Sequence, residues 1–350
     1  MSTATINLLY TEIEDDLRST VRDLLADRCD VTAVRAMYDG DRSVVAPLWK
    51  GLASELGLAG LLVPESLGGA GATASEAAVV LEELGRACAP VPFLTSSVIA
   101  TTALLGSSSG LLGELASGSR TAAVVVPWST SPYGEVPLAD GQVRNVAGAV
   151  EADVLLVPTS SGLRVVDAAD ATIEPVVSLD MTRQVADVTV SADAGEVVAD
   201  VADVKRALLV GAGLLASEQL GLAQWGFTTT LEYSKVRHQF GRQIGSYQAI
   251  KHRLADLYVG VEQATAAVRQ AAGALAADDD VDVSVAVAAS YAGETAVRTA
   301  EETIQLHGGI GMTWEHPAHL YLKRAKADQI ALGTPGAHRA RLAEVVGLTL

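Results

Sequence analysis

Between about residues 203 and 236 the chain places Leu208, Leu209, Leu214, Leu215, Leu220, Leu222, Trp225, Phe227 and Leu231 on nearly every side of a helical period. A solvated helix shows one apolar stripe, so a helix that is apolar all round must be covered by neighbours or by another subunit. This segment is therefore expected at the centre of the fold, with the rest of the chain layered on it. Two further helical periods follow. Tyr247 to about Ala276 carries Ile250, Leu254, Leu257, Val261 and Val268 at three-, four- and seven-residue steps, and Val283 to about Leu306 stops at Gly308-Gly309. The stretch AADDDVD between them, Ala276 to Asp282, reads as a solvated loop.

Upstream, Thr11 to about residue 118 is helical in spacing, broken at the Gly/Pro clusters Val63 to Ala72 and Cys88 to Pro92. From about 119 to 200 the texture changes to short Val-rich runs, TAAVVV, DVLLVP, LRVVDA and VADVTVS. The expected architecture is α+β and mainly helical. A helical domain spans 1–118, a small β domain 119–200, and a C-terminal four-helix bundle 201–350. A chain of 350 residues can bury a large core. With aromatics at only 4%, that core must be packed by Ala, Val and Leu, which suits helices that approach closely.

The formal charge of −17 excludes a broad nucleic-acid or anionic-membrane surface, since either needs an extended positive patch. No nucleic acid and no membrane are expected as partners, and an anionic ligand must find a local basic pocket. Cys29 and Cys88 lack metal-ligand spacing or a disulfide framework, so no metal is expected. The first twenty residues show no basic stretch followed by an apolar one, and no apolar run reaches a membrane span of roughly 18 residues. A cytoplasmic protein is the expectation.

One local basic excess exists. Between 235 and 253 stand Lys235, Arg237, Arg242, Lys251 and Arg253 with no acid among them. This suits a phosphate-bearing ligand, for which arginine is the better clamp, or else it is a solvated basic face. Gly308, Gly309 and Gly311 at a helix end let backbone approach a ligand closely, and Gln305 can donate and accept hydrogen bonds at once.

The segment YSKVRHQFGRQIGSYQAIKHRLADLY, Tyr233 to Tyr258, resembles the signature of the acyl-CoA dehydrogenases. QLHGGIGMTWEHPAHLYLKRA, Gln305 to Ala325, resembles that family's C-terminal glycine motif, at the family's spacing from the first. Leu48 to Phe93 and Ser178 to Val188 are similar to its N-terminal helical domain and to the segment closing its β domain. The resemblance implies FAD as cofactor. It also implies that Arg237, Gln239, Phe240, Gln248, Gln305, Gly308 and Gly309 hold the adenine and pyrophosphate end of a neighbouring subunit's FAD. For Phe240 a core contact, and for Gln248 a helix-start hydrogen bond, are the alternatives.

The resemblance is selective. Acyl-CoA dehydrogenation needs a carboxylate to take the α-proton while the β-hydrogen leaves as hydride. The family's two positions for that Glu correspond here to Leu332 and Gly211, so no catalytic residue is assigned to this chain. The family's flavin-ring segments, Thr-Glu-Pro…Gly-Ser-Asp and a Trp-Ile-Thr-Asn-like run, are not recognisable in residues 124–157; Trp128 either substitutes in stacking or packs. The pattern resembles the non-catalytic partner in actinobacterial α2β2 acyl-CoA dehydrogenases, several of which act on steroid-derived CoA thioesters. It implies a homologous catalytic subunit that carries the acyl-CoA, with electron-transfer flavoprotein as acceptor. Two other readings stay open: a self-sufficient flavoenzyme with a displaced base, and a non-enzymatic scaffold or acyl-CoA-binding module. For the displaced base, Asp328, Glu218 and His338 are candidates, against readings as a solvated helix face, an inter-helix contact and a surface histidine.

Overall fold

The computed structural model describes residues 6–107, 109–191 and 193–348. Before the strands come α1 (Glu12–Arg28), α2 (Val31–Ala36), α3 (Val45–Lys50), α4 (Ala74–Arg86), α5 (Thr101–Leu104) and α6 (Leu111–Ala116). Both α1 and α4 begin with capping boxes, Thr11 with Glu14 and Thr73 with Glu76, each satisfying two orphan backbone donors. The middle of the chain forms β1 (Ala122–Val124), β2 (Gly141–Ala147), β3 (Val154–Thr159), β4 (Gly162–Asp167), β5 (Thr172–Val176), β6 (Val185–Val190) and β7 (Glu196–Ala199). Then follow α7 (Val201–Val236), a short hairpin of β8 (His238–Gln239) and β9 (Arg242–Gln243), and α8 (Gln248–Ala277), α9 (Val281–His307), α10 (Ala318–Ile330) and α11 (Pro335–Val345).

The strands form two sheets, ordered β1-β3-β4-β7 and β2-β6-β5, with β1 and β3 parallel and the other pairs antiparallel. Period-two alternation explains how they sit. Ala123, Val125, Leu155 and Val157 point into a core shared with Val143, Val146, Ala186 and Val188 of the second sheet. Their neighbours Ala122, Val124, Val154 and Leu156 point the other way, into a core shared with the helices, including Leu208 and Leu215 of α7. β1 and β3 are thus buried on both faces and tie the β layer to the bundle.

α7 is central, as its all-round apolarity requires. By length and composition it would pass for a membrane span, against the expectation that no run is long enough, but 89% of its apolar window lies buried inside the protein. Its neighbours consume the surface that a lipid would otherwise cover. The crossing of α4 with α7 runs through glycines. A Cβ on Gly221 would lie 2.0 Å from the carbonyl oxygen of Glu82, and one on Gly85 2.1 Å from that of Glu218. The two backbones touch, as a core poor in aromatics demands. The acidic loop after α8 is shorter than expected: helix continues through Ala277 and resumes at Val281, leaving Asp278 to Asp280, with Asp278 and Asp280 at positive φ.

Candidate functional site

A cavity of about 870 Å³ opens between the α7–α8 connection and the C-terminal end of α9. Its wall includes Arg237, Gln239, Phe240, Gln305, Gly308 and Gly309, six of the seven residues expected at a dinucleotide tail. Arg237 caps α7. Its N–H donates to the Tyr233 carbonyl at 2.9 Å and its own carbonyl accepts from Ile244 N–H at 2.8 Å, so the backbone is pinned on both sides. Its guanidinium has no carboxylate within 4 Å among the described residues. The β8–β9 hairpin turns at Phe240-Gly241 with φ of 51° and 80°, the paired positive values that a tight two-residue hairpin takes. Tyr247 braces this turn, donating its hydroxyl to the Gln239 carbonyl at 3.2 Å, while Arg242 lies over the Tyr247 ring at 3.9 Å.

On the opposite wall α9 ends at Gly308, whose φ of 64° with ψ of −141° is open only to glycine without strain. A Cβ on Gly308 or Gly309 would meet nothing within 4 Å, so bare backbone faces open space where a ligand can approach. Gly311 differs: its Cβ would strike the Ile304 carbonyl at 2.6 Å, and its role is packing. His307 lies on the cavity wall, stacked on Tyr233 with centroids 4.3 Å apart. Its Nδ1 sits 2.7 Å from the Thr303 carbonyl and therefore donates, and burial pushes its pKa down.

Gln248 is the first residue of α8, exposed and outside the cavity wall, and it makes no side-chain hydrogen bond among the described residues, so the helix-start hydrogen bond is not formed. Phe240 is no core residue; it is 92% exposed, projected outward by the hairpin turn. The basic excess is also partly neutralised in three dimensions, two of its five cations being paired. Lys235 pairs with Glu232 and Arg253 with Glu302, both at 2.6 Å, which leaves Arg237 as the unpaired cation facing the cavity.

The two positions where the family carries its base meet in the core. Leu332 is 1% exposed, and a Cβ on Gly211 would lie 2.7 Å from Ile99 Cγ1 and 3.2 Å from Leu332 Cδ1. Leu332 adopts φ of 51°, held by its N–H donating to the Trp128 carbonyl at 2.9 Å. Only about 10 Å³ of free volume remains among Thr95, Ile99, Val126, Trp128, Leu208 and Leu332, barely enough for one water. Trp128 is packed there, with the Arg183 guanidinium 5.3 Å from its ring centre.

Asp328, Glu218 and His338 do not line the large cavity. Asp328 is not on a solvated face and His338 is not on the surface; both are buried. Asp328 and Glu218 belong to an ionic cluster that joins the β5–β6 connection to α7 and α10. Arg183 bridges Asp328 at 2.6 Å and Glu218 at 2.5 Å. Arg324, itself 2% exposed, donates to Glu218 at 2.7 Å, to Asp180 at 3.1 Å and to Thr182 at 2.6 Å. Burial works against ionising Glu218, yet the guanidinium groups of Arg183 and Arg324 outweigh it and hold Glu218 below the ordinary carboxylate range. Asp328 is left with the smaller share: burial and the adjacent Glu218 raise it to about 8 against the pull of Arg183. His338 is pushed down to about 4 by burial, and its Nδ1 meets the Tyr133 hydroxyl at 2.8 Å. Asp180, Arg183 and Arg324 were not singled out from the sequence. Arg324 and Asp328 stand one turn apart on the side of α10 that also buries Tyr321 and Ala325, and charged residues in phase with a buried face were the available signal.

The cavity can therefore grip an elongated anionic ligand by a free guanidinium, amide side chains and bare backbone, but no carboxylate lines it, and the Nδ1 of its His307 is committed to the Thr303 carbonyl. Residues 11–109 match the acyl-CoA dehydrogenase N-terminal domain and residues 201–347 the acyl-CoA dehydrogenase C-terminal domain. The chain is 38% identical over 328 residues to acyl-CoA dehydrogenase IpdE2 of Mycobacterium tuberculosis, covering 91% of this chain and 92% of that one. Among solved structures it is similar to a chain of the ChsE4-ChsE5 complex from Mycobacterium tuberculosis, with a TM-score of 0.87 and 29% identity over 99% of this chain and 100% of that chain. It is also similar to a variant of the Tcur3481-Tcur3483 steroid ACAD, with a TM-score of 0.83 and 29% identity over 96% and 98% of the two chains.

Proposed function

The chain belongs to the acyl-CoA dehydrogenase family, and from that premise we propose that it is the subunit of a heteromeric FAD-dependent dehydrogenase that holds the cofactor's tail for a homologous catalytic partner. One observation carries this reading. The half of the site that grips a dinucleotide is open and equipped, with Arg237, Gln239, Gln305 and the Gly308-Gly309 backbone around about 870 Å³. The position that should carry the base is filled by Leu332 and Ile99 around about 10 Å³.

The residues present fit the adenine and pyrophosphate end of FAD. Arg237 is a cation without an acid to quench it, and a planar guanidinium can take two phosphate oxygens at once. Gly308 and Gly309 present backbone where a side chain would stand in the way. Phe240, projected by the hairpin, offers a ring face to the ligand or to the chain that brings it. FAD, when bound, accepts the hydride from the acyl β-carbon; proton abstraction falls to a carboxylate of the partner. The work of this chain is to bind and orient.

The acyl-CoA is read as sitting on the partner, in an α2β2 assembly. Two similar solved structures support a two-chain assembly, and the steroid ACAD among them supports a steroid-derived CoA thioester as substrate class. Family membership points to electron-transfer flavoprotein as the electron acceptor. A cytoplasmic setting accords with two free cysteines whose thiols are pushed up to about 12 chiefly by burial.

Co-expression with a homologous catalytic chain should give a yellow complex with about one FAD per heterodimer, counted by absorbance against native mass. Arg237→Ala should weaken FAD retention about 10- to 150-fold, the loss of one or two charge-assisted hydrogen bonds, without changing the heterodimer mass. An Arg237→Ala complex with its full flavin content would overturn the reading.

A further inference from the structure

The two walls that grip the cofactor's tail are joined by one pair of side chains. Tyr233, in the last turn of α7, accepts the Arg237 N–H on its carbonyl at 2.9 Å. Its ring stacks on His307, the last residue of α9, with centroids 4.3 Å apart and planes 24° from parallel. The Tyr233 hydroxyl reaches further and donates to the His307 carbonyl at 3.4 Å. The next residue is Gly308, whose backbone faces open space with no side chain to cover it. The spacing of Arg237 from Gly308 is thus set through the ring of His307.

Hydrogen bonds fix the state of that ring and of the one behind it. The His307 Nδ1 donates to the Thr303 carbonyl at 2.7 Å. His316 stands behind, its ring centre 4.4 Å from that of His307, and its Nδ1 accepts the Ala318 N–H at 3.2 Å. A ring nitrogen that accepts carries no proton, so His316 is neutral in this arrangement. Two imidazoles this close resist being charged together.

No acid stands ready to balance a charge on them. Every hydrogen bond made by the His307, His316 and His319 rings among the described residues is to backbone. Tyr233 faces the pair from α7 and His319 from α10, and beyond His319 lie Lys323 and, from α2, Arg35. All four are neutral or cationic. Arg237 adds a positive charge on the cavity wall, where Arg253 of α8 is already matched by Glu302. Glu315, the adjacent acid in sequence, is turned to the Thr313 hydroxyl and Arg35, and the charge of Asp180 falls on Lys323 and Arg324. Burial and the imidazoles of His307 and His319 push His316 down to about 4, and burial pushes His307 down as well. Such a histidine keeps its contacts above the free value of about 6.5 and loses them as pH falls from there towards the folded one.

We propose that His307 is a positioning residue for the dinucleotide tail and forms, with His316, a proton-operated latch. While both rings are neutral the Arg237 and Gly308 walls are held in register; protonation parts them and releases the flavin from a chain that stays folded. The latch rests on the tail-holding function proposed above. In the two-chain complex the rate of FAD dissociation, followed as flavin absorbance retained on the protein after timed desalting, should rise about 10-fold or more from pH 7 to pH 5, with the far-UV circular dichroism unchanged. His307→Phe combined with His316→Phe keeps two rings to stack but nothing to protonate, and should remove that slope. His307→Gln, which retains an amide donor and takes no proton, serves where the aromatic pair fails to assemble, and should halve the slope on a logarithmic scale. His252→Gln, at an exposed histidine on α8, should leave it as in the parent.

A flat profile in the parent overturns the latch. So does a slope that survives the histidine changes, and so does release accompanied by loss of helical signal, which would assign it to unfolding. Full flavin in an Arg237→Ala complex at pH 7 sinks the tail-holding function whatever the slope. A slope removed in the histidine variants, beside an Arg237→Ala complex depleted of flavin, supports both.

Discussion

Glu218→Gln should lower the unfolding free energy by about 3–5 kcal/mol, because it leaves Arg183 and Arg324 buried with one fewer anion. Asp328→Asn, in the same cluster, should stay within about 1 kcal/mol of the parent at neutral pH. The difference follows from which carboxyl holds a proton. Two arginines face three acids, Asp180, Glu218 and Asp328; the arginines hold Glu218 down, while burial and the adjacent Glu218 raise Asp328 to about 8. The Asp328 Oδ2 accepts no hydrogen bond, with Arg324 Nε standing 3.8 Å away, so the pull of Arg183 and Arg324 does not offset burial. At pH 7 a neutral Asn therefore replaces a group that is already neutral, and its Oδ1 can still accept from Arg183. The sign of the pH dependence separates the two further. A carboxyl raised from about 3.9 unfolded to about 8 folded costs stability as pH climbs through that window. Urea titrations at intervals from pH 5 to 9 should show a downward slope in the parent protein that Asp328→Asn lacks. A steep loss in Asp328→Asn at pH 7, or no loss in Glu218→Gln, would contradict this assignment of the proton.

That cluster also marks where the sequence ceased to be legible. The all-round apolarity of α7 is a local pattern that led to the right place in three dimensions, and the family's spacing puts Arg237 and Gln305 on the wall of one cavity. Arg183 and Asp328 lie 145 residues apart, and no local pattern joins them. Asp328 on its own looks like any acid on a helix. Strands were lost for a different reason. β2 departs from strict alternation because its register shifts between Val143 and Val146, and β5 contains Pro175, which demotes a run on sequence alone. β7 is four residues long and mostly exposed, too little pattern to detect. At the site, a family spacing fixes where Gln248 falls along the chain but not that its side chain is left exposed, with no hydrogen bond at the start of α8. Phe240 was open to two readings because an aromatic residue in sequence does not announce a positive φ.

Restoring a carboxylate at the family's position should not restore chemistry. Leu332→Glu is expected to leave the isolated chain colourless and without dehydrogenase turnover, and to leave turnover per FAD in the two-chain complex unchanged, while lowering the unfolding free energy by about 3 kcal/mol or more. A general base must come within about 3 Å of the carbon it deprotonates. Here the side chain would point among Ile99, Leu208 and Trp128, with about 10 Å³ of free volume and the nearby Thr95 hydroxyl already donating to the Pro92 carbonyl, so the new acid would be driven neutral. Gly211→Glu meets the same obstacle earlier, since even its Cβ collides with Ile99 at 2.7 Å. Leu332→Ala separates the effects of space and charge. It should cost about 2–5 kcal/mol by opening a void, and it too should recruit no flavin to the isolated chain. What removes catalysis from this subunit is thus a filled volume as well as a missing acid, and the two have to be reversed together. A Leu332→Glu chain that turned yellow and oxidised an acyl-CoA without its partner would show that the space opens on demand, and would return the base to this polypeptide.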